Sequence, residues 1–193
     1  MTESHFNIGR ARKLDNEERI RELKPKQLLE DVGGVAEGMT CIDMGSGTGT
    51  FSFPLIQCVG NSGIVYAVDD SAKMLDYIRA KNPPINMRLV HANASCTGLD
   101  SGIADLCLLA FVLHEVKEPS ILVAEACRLL KPKCKALVVE WKAHLDSPGP
   151  PRSRRLTKEH LEILFKQVGL SDFRCIEWSG NHYVAVGNKI IFE

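Results

Sequence analysis

Apolar positions along the chain fall into two alternating patterns. Short, near-continuous runs of Val, Ile, Leu and small residues (MTCIDM, GIVYAVDD, INMRLVHA, ADLCLLAFVL, KALVVEWK) alternate with segments such as FSFPLIQCVG, SAKMLDYIRAK, EPSILVAEACRLL and TKEHLEILFKQVG, whose apolar residues recur at helical spacing. Runs that are apolar on both faces belong to strands buried between helices, so the repeated strand-then-helix order predicts a parallel sheet covered on both sides. The last two strand candidates, FRCIEWSG and HYVAVGNKIIF, are joined by only a few residues around Ser179, Gly180 and Asn181. That spacing predicts a hairpin and an antiparallel end to the sheet.

Ahead of this frame, Asp15 to Leu23 is charged and helical in composition, and Pro25 restarts a short helix, PKQLLEDVGG, closed by Gly33 and Gly34. Residues 1–37 read as an N-terminal helical cap on one domain that takes up the whole 193-residue chain. The one long linker, 142–156, is rich in Pro and Arg; loops of that length inside a compact domain are usually functional or mobile, and it is predicted to be a lid.

Composition narrows the function classes. Lys+Arg and Asp+Glu both number 24, so no overall field draws the chain to nucleic acid or to an anionic membrane. No apolar run approaches the roughly 20 residues of a membrane span, and the opening MTESHFNIGRARK lacks the apolar core of a signal peptide, so a cytoplasmic location is expected. The seven cysteines are scattered, without a C-x-x-C pair, and are expected to be reduced residues in or near the core. A thiolate site for a soft metal needs clustered exposed cysteines instead. Zinc-ligand spacing, a G-x-S-x-G elbow and a histidine cluster are all missing from the sequence, so no metal is expected.

The sharpest chemical signal is Asp43-Met44-Gly45-Ser46-Gly47-Thr48-Gly49, placed between the first strand and the helix beginning near Thr50. Glycines there permit positive φ and let backbone approach a ligand that side chains would exclude. Parallel sheets bind ligands beyond the carboxyl ends of their strands, so a nucleotide-like cofactor is the natural occupant. A dinucleotide fingerprint requires G-x-G-x-x-G/A, but counting from Gly45 ends at Thr50 and from Gly47 at Ser52, which disfavours NAD. The second strand ends in Val68-Asp69-Asp70, where a carboxylate can accept hydrogen bonds from both ribose hydroxyls. Asp70 either shares that duty or caps the following helix.

These stretches, with VHANASCTGL and ADLCLLAFVLHEVKEPSILVAEACRLLKP, resemble the class I S-adenosylmethionine (AdoMet)-dependent methyltransferases over residues 38–142. The likeness is greatest to the small-molecule, type 11 branch around ubiquinone and menaquinone biosynthesis. The resemblance implies a Rossmann-like α/β three-layer sandwich with a seven-stranded, mostly parallel sheet of order 3-2-1-4-5-7-6. It further implies that Gly45, Gly47 and Gly49 pack against the methionine part of AdoMet, with Asp43 fixing the loop. Asp69 holds the ribose, and Met74, Asn93 and Ala94 lie by the adenine. Asn93 stands where the family more often has Asp; it is neutral but still able to accept from the adenine amino group. Lys131-Pro132-Lys133-Cys134 replaces the family's Lys-Pro-Gly-Gly turn, and a changed turn geometry is expected there.

Methyl transfer needs alignment of donor and acceptor more than catalytic groups, and a base only where the acceptor must lose a proton. The fourth strand ends in Ala110-Phe111-Val112-Leu113-His114-Glu115, at the rim of the cofactor pocket. His114 can serve as that base, or can simply pack at the strand end. Glu140 and Trp141 end the fifth strand on the same side. Arg152, Arg154 and Arg155 are either an anion-binding cluster or a solvated charge run before a helix. The partner expected is a small-molecule methyl acceptor. The rivals are an RNA or protein acceptor, favoured if Arg10, Arg12 and Lys13 converge on the Arg152–Arg155 cluster, and a module that binds AdoMet without turning it over.

Overall fold

The computed structural model describes residues 15–144 and 149–191. Residues 1–14 of the expected cap, with Arg10, Arg12 and Lys13, and residues 145–148 of the expected lid lie outside the described residues. Seven strands form one sheet: β1 (Thr40–Met44), β2 (Ile64–Asp69), β3 (Met87–His91), β4 (Ala104–Ala110), β5 (Leu130–Trp141), β6 (Leu170–Glu177) and β7 (His182–Lys189). Their order is β3-β2-β1-β4-β5-β7-β6. The first five run parallel, while β7 lies antiparallel to both β5 and β6. The doubly wound sheet and the terminal hairpin are therefore as the sequence led us to expect.

Helix starts and stops follow local chemistry. Helix α1 (Glu17–Leu23) begins at Asn16, whose side chain accepts from the backbone N–H groups of Glu18 and Arg19 at 2.9 and 3.1 Å, with Glu17 and Glu18 in the first turn. Pro25 opens α2 (Pro25–Leu28), which widens into a π-turn over Leu29–Gly33 and stops at Gly34 with φ 66°. The remaining helices are α3 (Ser52–Val59), α4 (Ala72–Arg79), α5 (Pro119–Leu129) and α6 (Lys158–Gln167).

Successive residues of each strand feed opposite faces of the sheet. Ile42, Met44, Cys107 and Leu109 pack with Leu122 and Ala126 of α5 and Phe165 of α6. Cys41, Leu106 and Leu108 pack with Leu55 of α3, Ile78 of α4, and Leu23 and Leu28 of the N-terminal helices. Each fully buried Leu contributes about 1.5–3 kcal/mol through area removed from water. Both faces being covered explains the unbroken apolar strands.

Within β5, where its pairing with β4 shifts register between Leu130 and Lys135, Lys133 takes a left-handed conformation without glycine, at φ 65°. All seven cysteines are free; Cys41, Cys107 and Cys127 are core residues, whereas Cys96 is exposed, a departure from the expected core placement. Among the described residues no group of three or more His, Cys, Asp or Glu could hold a metal, and no helix is long and apolar enough to cross a membrane.

Candidate functional site

The sheet reverses direction of winding between β1 and β4, and a crevice opens beyond the carboxyl ends of these strands. It holds a cavity of about 320 Å³. The loop after β1 forms one wall because its backbone is tied to the tip of β2. Gly45 and Ser46 both donate to Val68 O at 2.8 Å, and Gly47 N donates to Asp69 Oδ2 at 2.8 Å. The other Asp69 oxygen accepts from Ser71 N at 2.9 Å. Asp69 thus holds the loop from the side of β2. Asp43 reaches across the loop to its far end, accepting from Ser52 Oγ of α3 at 2.6 Å, and also lines the cavity.

Gly45 has φ 80°, and a Cβ there would meet Val112 Cγ2 at 2.7 Å, so only glycine lets the loop lie against the segment after β4. Asp43 is 1% exposed, and burial pushes its carboxyl up to about 7, with the Asp69 charge acting in the same direction and the Ser52 hydroxyl opposing.

Of the residues singled out from sequence, Asp43, Gly45, Gly47, Asp69, Asp70, Met74, Asn93, Ala94, Ala110 and Phe111 all line this cavity. Gly49 does not. A Cβ on it would sit 3.0 Å from the Phe53 ring, so it serves the packing of the loop on α3 and not the cavity surface. Asp70 does not cap α4 either: the N-cap is Ser71, and Asp70 is left facing the cavity. Asn93 Oδ1 accepts from Ser95 N at 2.8 Å, which fixes the side chain in its own turn.

Sequence reasoning missed five polar contributors: Arg19, Ser46, Thr48, Thr50 and Ser71. Ser46, Thr48 and Thr50 stand at the variable positions in and just after the glycine pattern. Arg19 arrives from α1, whose placement depends on long-range bonds that no local pattern reports. Thr48 Oγ1 donates to Asp15 Oδ1 at 2.6 Å, Lys81 Nζ donates to Asp15 Oδ2 at 2.8 Å, and at the other end Ser179 Oγ donates to Glu22 Oε1 at 3.0 Å. Pinned at both ends, α1 roofs the cavity, with the Arg19 guanidinium 4.8 Å from the centre of the Phe111 ring.

Phe111 occupies the left-handed region at φ 58°, uncommon for an aromatic residue, and is held there by its N–H donating to Val139 O at 2.9 Å. Behind it lie Trp141 and His182, whose ring centres are 4.4 Å apart. His182 is 1% exposed; burial drives it down to about 4, so it is neutral at physiological pH, and its Nε2 has no hydrogen-bond partner among the described residues.

His114 lies outside the 320 Å³ cavity and on the wall of a second one, about 420 Å³, shared with Glu115, Pro150, Pro151 and Arg154. Glu115 lines both cavities. The sequence offered no partner for His114; the structure supplies Glu140, fully buried at the end of the neighbouring strand, with His114 Nδ1 2.8 Å from Oε2. The Arg152–Arg155 cluster divides: Arg152 and Arg155 hold the local backbone, through bonds to His144 O at 3.1 Å and Pro150 O at 2.9 Å, while Arg154 faces the second cavity.

A family model described as a methyltransferase domain matches residues 42–138, about half of the chain. The chain belongs to the methyltransferase-domain family. It is 31% identical over 153 residues to a ubiquinone/menaquinone biosynthesis C-methyltransferase of Francisella philomiragia, covering 77% of this chain and 58% of that protein. It is 32% identical over 108 residues to a demethylmenaquinone methyltransferase of Staphylococcus aureus, covering 55% and 44% respectively. The chain thus spans roughly half the length of these curated relatives. Among solved structures, a SAM-dependent methyltransferase from Aquifex aeolicus superposes with a TM-score of 0.88 at 25% identity, covering 96% of this chain and all of that one. The matched segment runs from β1 into β5 and so contains the glycine loop, Asp69 and the rim after β4 of this methyltransferase domain.

Proposed function

We propose that this chain is an AdoMet-dependent methyltransferase acting on a small molecule. The observation that carries the reading is Asp69, whose one carboxylate both lines the cavity and clamps the Gly47 N–H, coupling ligand recognition to the shape of the glycine loop. The residues present fit the cofactor. Ser46 Oγ is buried without a partner among the described residues, a polar atom awaiting a ligand. Gly45 and Gly47 admit the amino-acid part beside Asp43, Asp69 and Asp70 receive the ribose hydroxyls, and Met74, Asn93 and Ala94 flank the base. Ala110 and Phe111 close the end toward the acceptor, and Gly49 supports the loop from behind. When bound, AdoMet supplies an electrophilic methyl group on a sulfonium centre. This chain's residues then have to exclude water, align an acceptor and accept its proton, for which His114 is the residue at hand.

The balanced net charge and the 420 Å³ cleft favour a small acceptor over RNA or protein. A cytoplasmic setting goes with the reading, since seven free cysteines suit a reducing compartment. The test is release of S-adenosylhomocysteine from AdoMet in the presence of small-molecule acceptors, total RNA or a protein extract. Turnover confined to the small molecules is expected, and turnover confined to RNA or protein contradicts the proposal.

A further inference from the structure

We infer that the acceptor is a small carboxylate or phosphate ester carrying a protic acceptor atom, with its anionic group on Arg154 and its proton received by His114 Nε2, and that Glu140 is the residue that positions this base. The inference rests on the methyltransferase reading of the adjoining cavity and concerns the second cleft. Glu140 is fully buried, and its oxygens receive two backbone N–H groups, from His114 at 3.3 Å and Trp141 at 3.2 Å. Its remaining capacity faces His114 Nδ1, at 3.1 Å from Oε1 and 2.8 Å from Oε2. A carboxylate so placed acts as an acceptor, which puts the ring proton on Nδ1 and leaves the lone pair on Nε2. The same carboxylate stabilises the imidazolium that forms when Nε2 takes up a proton.

Among the described residues, two carboxylates lie by this imidazole, Glu140 from β5 and Glu115 with Oε1 4.0 Å from Nε2, and Arg154 shares the wall of the same cleft. Glu115 sits where the two cavities meet, so its charge favours the cationic end of the reaction path. Arg154 is presented by a short 3₁₀ turn, Arg152–Arg154, whose framework is rigid: Pro150 and Pro151 precede it, and buried Arg155 bonds Pro150 O at 2.9 Å and Lys142 O at 3.1 Å. Among the described residues the Arg154 side chain has no hydrogen-bond or ion-pair partner, unlike its neighbours, so its planar fork is available for carboxylate or phosphate oxygens. The two prolines supply apolar surface for the body of the acceptor.

In the step, Nε2 takes the proton from the acceptor atom and the electron pair left behind forms the new bond to the methyl carbon. The pair of the broken carbon–sulfur bond stays on sulfur, giving a neutral thioether, and the proton later leaves His114 for water.

The test titrates the chain, saturated with S-adenosylhomocysteine, with hydroxybenzoates and hydroxyphenyl phosphates, each beside its neutral methyl ester. At least one anion series should bind about tenfold or more tighter than its ester, and Arg154→Gln should bring the two within about twofold; which series does so tells carboxylate from phosphate. With the best binder as acceptor, Glu140→Gln should lower kcat by about tenfold or more, leave KM within about twofold, and change the pH profile of kcat as His114→Gln does. Esters that bind as tightly, no binding by any member, or indifference to Arg154→Gln overturns the anion site. An unchanged kcat and pH profile in Glu140→Gln overturns the positioning role. Failure of S-adenosylhomocysteine itself to bind strikes the cofactor reading instead, and so separates the two.

Discussion

The Glu140 carboxylate and the His114 imidazole, 26 residues apart in the chain, meet at 2.8 Å because parallel β4 and β5 bring their carboxyl ends side by side. Their chemistry differs from their structural weight. Glu140→Gln retains one oxygen, enough for one of the two N–H groups that Oε1 and Oε2 receive from His114 and Trp141, so it should lose only about 1 kcal/mol. Glu140→Leu strands those buried donors and should cost about 2–3 kcal/mol or more in urea unfolding. Equal losses in the two variants contradict the hydrogen-bond account.

Asp43 trades stability for binding. Its folded-state carboxyl titrates at about 7, above the ordinary 3.8, so its favourable contribution is complete below 3.8 and lost as pH rises through 7. Asp43→Asn should therefore raise the melting temperature at pH 8 clearly more than at pH 5, and should weaken AdoMet binding at pH 8. A melting temperature lowered at pH 8 would show that the ionised carboxylate stabilises the fold.

Much of this site is legible before any coordinates. The glycine spacing and the acidic tip of β2 locate the cofactor wall because both are local consequences of a strand-loop-helix turn. The Glu140–His114 pair was within reach, since strand order sets the tips of β4 and β5 next to each other, but side-chain direction at a strand end is decided by packing. Asp70 and Ser71 are competing helix caps one residue apart, and the backbone course chose Ser71. Arg19 depends on Asp15, Thr48 and Lys81 converging from three distant parts of the chain, which no periodicity encodes.

Two glycines that both lie in the left-handed region should differ in tolerance. Gly45→Ala places a Cβ 2.7 Å from Val112 Cγ2, and should cost about 2–4 kcal/mol and most of the cofactor affinity. Gly102, at φ 68° with open space around it, should lose only about 1 kcal/mol on the same change. Chemical denaturation of both variants checks the contrast; equal costs would mean that backbone strain alone is being measured.

His182 should limit stability in acid. Its folded-state value of about 4 lies below the ordinary 6.5, so its contribution is present above 6.5 and lost as pH falls toward 4, by up to about 3 kcal/mol. His182→Phe, which also removes the unpartnered Nε2, should flatten unfolding free energy across that window. An unchanged slope would show that the buried ring is not what titrates.

The most direct test of the central claim is calorimetric titration of the chain with AdoMet, S-adenosylhomocysteine and NAD in parallel, on wild type and Asp69→Ala. Binding of the first two at about 1–100 µM, weakened at least about thirtyfold in Asp69→Ala with no heat from NAD, is the predicted result. Binding of NAD, binding of nothing, or AdoMet affinity indifferent to Asp69→Ala would contradict it.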